Sequence, residues 1–286
     1  MDFPLPGSGE AVVAVPAPGP GHGFWAGSPS ATFDADGGVV LAYRVRTGIG
    51  PEGGAQTVVA RSDDGETFTT VATLDKSRFG AMSMERPAIL RLDDGRWRLY
   101  VCSATPNSKH WWIDVLEADD PAKFEDADAR TVFAGDDAVA VKDPIVQRTE
   151  GGWQAWICCH PLDEPDEEDR MTSAYATSDD GLDWRWHGTV LAPRPGTWDA
   201  RGARLTAVLA DGRAAYDGRA TKEENWFERT GLARRVDDRF EQVGDDAVYD
   251  ARYLDVLRLG AGGYRIYYEA RLPDGSHDLR TELVAR

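Results

Sequence analysis

Cysteine is scarce in this chain: there are three, Cys102, Cys158 and Cys159, and two of them are adjacent. An odd count with a neighbouring pair gives no disulfide framework, and the spacing carries no zinc signature. On a strand, Cys158 and Cys159 would point to opposite faces as buried structural thiols. Basic residues are also few, 32 Lys and Arg against 49 Asp and Glu, for a net charge of −17. Phosphate backbones are held by clustered Lys and Arg, so nucleic acid is not an expected partner. No apolar run approaches the ~20 residues of a membrane span, so no membrane partner is expected either. The N-terminal residues Met-Asp-Phe-Pro-Leu-Pro show neither the basic region nor the apolar core of a secretory signal, which makes the cytoplasm the expected location. A sustained helical period is missing throughout.

What the chain does have is a repeat. Ala60-Arg61-Ser62-Asp63-Asp64-Gly65-Glu66-Thr67-Phe68 returns as Ala176-Thr177-Ser178-Asp179-Asp180-Gly181-Leu182-Asp183-Trp184, 116 residues or two steps of 58 later. A worn copy, Ala118-Asp119-Asp120-Pro121-Ala122-Lys123-Phe124, lies midway, and Val236-Asp237-Asp238-Arg239-Phe240 follows one step beyond. A second ladder runs in phase: Gly turns lead into short strands bearing Tyr43, Tyr100, Trp156, Tyr216 and Tyr267, spaced 57, 56, 60 and 51 residues apart. Strands bounded by Gly and Asp clusters at a fixed long period predict an all-β, five-bladed β-propeller in one domain. The units fall at 25–78, 79–136, 137–194, 195–247 and 248–286. The last is short by a strand, and the apolar run 9–16 is expected to complete it, closing the ring and removing an exposed edge. The Pro/Gly stretch from Pro16 to His22 then links that strand to the first unit, and the acidic run 163–169 reads as a solvated loop tip.

A propeller has a central funnel lined by the first strand of each unit. Those strands carry Gly27-Ser28-Pro29, Met84-Glu85-Arg86-Pro87, Lys142-Asp143-Pro144, Trp198-Asp199-Ala200-Arg201-Gly202-Ala203-Arg204 and Tyr249-Asp250-Ala251-Arg252-Tyr253. The second strands end in Arg44 and Arg46, in Asp217 and Arg219, and in Glu269 and Arg271. Acids and arginines converging on one concave mouth suit a small-molecule pocket.

The Ala-x-Ser-x-Asp-Gly-x-x-aromatic turn and the Asp143-Pro144 step resemble the five-bladed β-propeller glycoside hydrolases, the broad group that includes families 43, 32 and 130. The stretch from Trp198 to Ala233, with Tyr216-Asp217-Gly218 and Thr230-Gly231-Leu232-Ala233, is most similar to the fourth-blade region of the family 130 type. The resemblance implies a base or nucleophile Asp on the first inner strand, where this chain has Ser28-Pro29. It implies that Asp143 orients sugar hydroxyls and tunes the acid. The family's fourth-blade acid has no clear counterpart, Asp199 being the nearest residue.

Glycoside hydrolysis needs an acid and a second carboxylate, roughly 5–10 Å apart. Glu85 and Asp143 on neighbouring inner strands are candidates, with Arg86 keeping Glu85 ionised for a base role. Asp217, Asp250 and Asp199 are alternatives for the acid. A structural salt bridge to a funnel arginine is the plain alternative for each. Arg44, Arg86, Arg204, Arg219 and Arg252 suit an anionic group on the ligand, since guanidinium binds carboxylate or phosphate with paired hydrogen bonds; otherwise they neutralise the funnel acids. Trp25 is the favoured sugar platform, ahead of Trp111 and Trp112, and Ser28 and His160 join the binding set. The expected partner is a short saccharide, anionic where the arginines bind it. No cofactor is indicated, and an axial metal ion has no signature. The expected function is a glycosidase; the alternatives are a non-catalytic sugar-binding propeller, which Ser28 favours, and a phosphate-dependent phosphorylase, which the arginines favour.

Overall fold

The computed structural model describes residues 2–260 and 262–285, and among these the chain is all β. Twenty strands follow in order: β1 (Val12–Val15), β2 (Phe24–Phe33), β3 (Val39–Thr47), β4 (Gly54–Ser62), β5 (Thr69–Asp75), β6 (Ala88–Arg91), β7 (Trp97–Ala104), β8 (Trp111–Ala118), β9 (Ala129–Phe133), β10 (Val139–Thr149), β11 (Gly152–Pro161), β12 (Thr172–Ser178), β13 (Arg185–Leu191), β14 (Gly202–Val208), β15 (Arg213–Arg219), β16 (Arg229–Val236), β17 (Arg239–Val243), β18 (Arg252–Arg258), β19 (Tyr264–Arg271) and β20 (His277–Val284). Strands β6–β9, β10–β13 and β14–β17 form three four-stranded antiparallel meanders. The remaining strands form one sheet in the order β18-β19-β20-β2-β3-β4-β5, with β1 added to β20. Its two halves meet through a single parallel pair, Trp25 with His277. This is the sheet inventory of a propeller.

Hydrophobic faces explain the stacking. Val40, Val59, Met84, Trp97 and Leu99 bury β2–β5 against β6–β9. Tyr100, Ile113, Trp153 and Ile157 do the same for β6–β9 and β10–β13, and Trp156, Leu205 and Tyr216 for β10–β13 and β14–β17. Ala215, Leu232, Leu254 and Tyr268 join β14–β17 to β18–β20. Leu41, Tyr43, Val58, Tyr267 and Leu279 return from β19 and β20 to β3 and β4. The aromatic ladder of the sequence supplies second-strand residues to three of these five layers, Tyr100 to one, Trp156 and Tyr216 to another and Tyr43 and Tyr267 to a third, and each buried ring removes roughly 150–250 Å² from water.

The Asp-Gly turns dock one unit on another. Asp64 accepts from the N–H groups of Glu66 and Thr67, and Asp180 from those of Leu182 and Asp183. Gly65 and Gly181 take positive φ, which glycine adopts without a Cβ penalty. Their carbonyls accept from ladder tyrosines, Tyr267 at 2.9 Å and Tyr100 at 2.7 Å. The two conspicuous sequence signals are therefore the two halves of one contact. Burial on both faces of β11 leaves Cys158 and Cys159 free and pushes their thiols up, Cys159 to about 12. The acidic run is only partly a solvated tip: residues 163–166 are exposed, but Arg201 grips Glu167 and Asp169.

Candidate functional site

Three inner strands carry a bulge at equivalent points. Ser28, Asp143 and Tyr253 take φ of 55°, 53° and 52° where the registers of β2, β10 and β18 slip. Positive φ is strained for such residues and persists only where the surroundings hold it. All three side chains are buried at the funnel axis.

Glu85, on the segment before β6, is the centre of this arrangement. Its Oε2 accepts from Arg44 at 2.6 Å and its Oε1 from Arg46 at 2.6 Å. Burial opposes its ionisation, but Arg44 and Arg46, with Lys142 and Arg252 behind them, win and hold the carboxyl at about 2. From Glu85 an alternating chain of charge runs under the floor. Arg44 reaches Glu269 at 2.8 Å, Glu269 reaches Arg252 at 3.1 Å, and Arg252 lies 2.7 Å from Glu228. Glu228 then pairs with Arg219, which lies 3.6 Å from Asp169. Glu228 and Glu269 are both pulled below the ordinary carboxylate range, their arginines overcoming burial. Beside this chain, Arg204 bridges Asp143 at 3.0 Å and Asp217 at 2.6 Å.

One cavity of about 470 Å³ opens over this floor. Of the axial carboxylates named above, Glu85 and Asp169 line it; Asp143, Asp217, Glu228 and Glu269 do not. Asp166 and Glu168 complete its acidic lining, facing the basic groups Arg46, Lys109, Lys142 and Lys222. Trp111, Trp226, Asn225 and His160 also contribute. Lys142 stands 5.0 Å from the Trp111 ring centroid. The His160 Nδ1–H donates to the Glu168 carbonyl at 2.7 Å, which leaves Nε2 unprotonated and without a partner. Burial, reinforced by Lys142, keeps this imidazole neutral.

The sequence-predicted residues divide. Glu85 and His160 reach the cavity, while Asp143 and Asp217 lie sealed beneath it. Asp217 is raised by that burial, against Arg204. Arg44, Arg204, Arg219 and Arg252 are in the funnel but buried in carboxylate pairs. The remaining expectations need correction. Asp250 is exposed on the outside, paired with Arg271, because it precedes the strand rather than lying on it. Asp199 is buried away from the cavity, accepting from Tyr216 at 2.7 Å and from Arg194. Arg86 does not face the mouth; its guanidinium runs along the axis to Pro29 O, Thr206 O and Asp255, a structural tie among inner strands. Trp25 is no platform: it is fully buried, stacked on His277, with Arg44, Arg46 and Arg252 all within 6 Å of its ring. Ser28 is buried too, its hydroxyl 3.5 Å from Glu269.

Residues the sequence did not single out are Tyr253, Glu228, Asp169, Lys142 and Trp226. Trp226 joins the predicted Trp111 as a mouth aromatic in place of Trp25, and is held at φ 73° beside His22 and Trp25. Among the described residues, no group of three or more His, Cys, Asp and Glu side chains is placed to share a metal ion. Among the same residues, no helix is long and apolar enough to cross a membrane.

No protein-family model matches the sequence, and no curated protein does. Solved structures do match. A β-1,2-mannobiose phosphorylase from Listeria innocua aligns over 99% of this chain and 92% of its own, with a TM-score of 0.66 and 14% identity. A structure described as a glycoside hydrolase covers 98% and 92%, with a TM-score of 0.73 and 13% identity. An α-L-arabinofuranosidase from Lactobacillus brevis covers 90% and 90%, with a TM-score of 0.66 and 15% identity. The chain thus shares its fold, over nearly its whole length and at low identity, with propeller glycoside hydrolases and mannoside phosphorylases.

Proposed function

We propose that the protein is a carbohydrate-active, five-bladed propeller in one domain, the eight-stranded sheet counting as two blades. Its funnel takes a short saccharide, and hydrolysis is the chemistry, with Glu85 as the ionised carboxylate that activates water. The observation that carries this is Glu85 itself: an axial carboxylate on the cavity wall, clamped in one orientation by two guanidiniums. A base must be ionised at working pH, and Arg44 and Arg46 keep Glu85 so, at a cost in basicity. Trp111 and Trp226 offer ring faces for a pyranose, and His160 an acceptor for a hydroxyl.

A specific observation favours a second reading, a propeller that binds sugar without turning it over. The acid is the missing partner. Three of the four acids on the cavity wall, Glu85, Glu168 and Asp169, are held below their ordinary range, so each of the three resists carrying the proton a leaving group needs. The separating experiment is hydrolysis of a panel of nitrophenyl glycosides by wild type and Glu85→Gln, with and without phosphate. Turnover that disappears in the variant supports the glycosidase. Turnover that requires phosphate makes it a phosphorylase. Thermal stabilisation by a sugar with no turnover supports the binding protein, and a fully active Glu85→Gln removes Glu85 from the chemistry.

A further inference from the structure

We propose that the funnel is charge-balanced so as to admit a neutral, hydroxyl-rich sugar and to turn away anions, uronates and inorganic phosphate included. The sugar half of this rests on the function proposed above; the exclusion of anions does not.

An arginine-rich pocket ordinarily invites a carboxylate or phosphate because its positive charge is unspent. Here it is spent. Each funnel guanidinium meets a carboxylate of the protein, and the linkage from Arg46 through Glu85, Arg44 and Glu269 to Arg252 is continuous. The Lys142 ammonium stands 3.8 Å from Asp143. His160 adds no positive charge, because its Nδ1 proton is committed to a carbonyl and the ring is neutral. The cavity wall itself presents four acidic and four basic side chains. Of the four cations on the wall, Arg46 and Lys142 stand against carboxylates, and Lys109 and Lys222 are offset by Glu168 at longer range, so an anion entering this site would gain no net positive charge and would face the fixed negative charge of Glu85, in surroundings where charge is poorly screened.

A sugar hydroxyl has the opposite fit. It donates one hydrogen bond and accepts two. A wall that mixes carboxylates and the bare His160 nitrogen with ammonium and guanidinium donors can satisfy both roles of each hydroxyl. The same wall supplies Trp226 for the C–H face.

Thermal melts of the full chain test this with two sets of probes at equal millimolar concentration: neutral gluco-, manno-, galacto- and arabino-configured disaccharides, and glucuronate, galacturonate and inorganic phosphate. At least one neutral sugar is expected to raise the melting temperature by about 2 °C or more, and no anion is. A wild-type shift with phosphate or a uronate overturns the proposal. A second arm needs no sugar. Glu85→Gln leaves Arg46 on the cavity wall without its carboxylate, so the variant is expected to gain a phosphate-dependent shift that wild type lacks. Glu168→Gln, which removes the wall carboxylate that offsets Lys109 and Lys222, serves if the first variant fails to fold. Folded variants that remain indifferent to phosphate refute the charge-balance argument. A silent sugar panel with a phosphate response in the variants would instead refute the saccharide reading and leave the exclusion of anions standing.

Discussion

Tyr253 and Arg204 are locked together at the funnel axis: the guanidinium carbon lies 3.8 Å from the ring centroid, and its Nη1 donates to the phenol oxygen at 2.7 Å. The hydroxyl also lies 3.3 Å from Glu85 and 3.4 Å from Asp143. One side chain therefore touches the cavity carboxylate and the sealed one. Tyr253 is the plug that separates them, and the strained backbone that aims it is the cost of the seal.

Removing only the hydroxyl should loosen this junction. Tyr253→Phe leaves the Arg204 donor without its phenol acceptor and is expected to cost about 1–3 kcal/mol. Tyr253→Ala also removes the ring and is expected to cost about 3–5 kcal/mol. Urea unfolding of the two variants checks the order. Equal stability of Tyr253→Phe and wild type would show that the hydroxyl is satisfied equally well without the protein.

The fold was legible because its signals are local and repeated. Asp64 and Asp180 reveal themselves through the Gly that follows, and the ladder tyrosines through their phase with it. The site was legible where it sits on or just ahead of an inner strand of known phase, Asp143 on β10 and Glu85 before β6. Glu228 follows the irregular Asn225-Trp226-Phe227 segment, where no period predicts which way a side chain points. Asp169 hid in an acidic run that reads as solvated until Arg201 and Arg219 are placed against it. Tyr253 depends on a left-handed bulge that composition does not announce. Arginine clustering was visible, but its meaning turned on partners distant in sequence, such as Arg44 with Glu269.

Acid should unfold the protein through its funnel. Glu85 is held at about 2 against an ordinary 4.5, and Glu228 and Glu269 are lowered as well. A depressed carboxyl contributes stability that is fully present above its unfolded value and is lost as pH falls through the folded one. Each such group contributes a slope of up to about 1.4 kcal/mol per pH unit in that window. Stability is therefore expected to fall steeply below roughly pH 5, and Glu85→Gln to show a shallower fall from a lower starting point. Denaturant midpoints measured from neutral pH downward check this; parallel curves would mean that Glu85 is not held ionised.

Gly27 should tolerate no side chain. A Cβ there would fall inside the Glu269 carboxylate. That carboxylate is pinned by Arg44, Arg252 and His277 and has no room to retreat. Gly27→Ala is expected to destabilise by about 2–3 kcal/mol, whereas exposed Gly151→Ala, with only the Thr149 hydroxyl at 4.0 Å, should change little. Comparable melting temperatures for the two would show that Glu269 moves freely and that the charged chain is looser than its distances imply.

The N-terminal strand makes the sharpest test of what completes the last sheet. β1 pairs antiparallel with β20, Val12 opposite Thr281 and Val13 opposite Arg280. Phe3 packs with Leu254 and Tyr268, and the N–H groups of Gly7 and Gly9 donate to Glu282. Removing the first 16 residues would bare the edge of β20 and strip an aromatic from the core at once. The lost burial alone should cost about 3 kcal/mol or more, and an uncovered edge invites pairing with a second chain. The truncated protein is thus expected to melt well below the full chain and to self-associate on size exclusion with light scattering. If it stays monomeric at an unchanged melting temperature, the strand is an ornament, and β18–β20 must hold the last unit together without it.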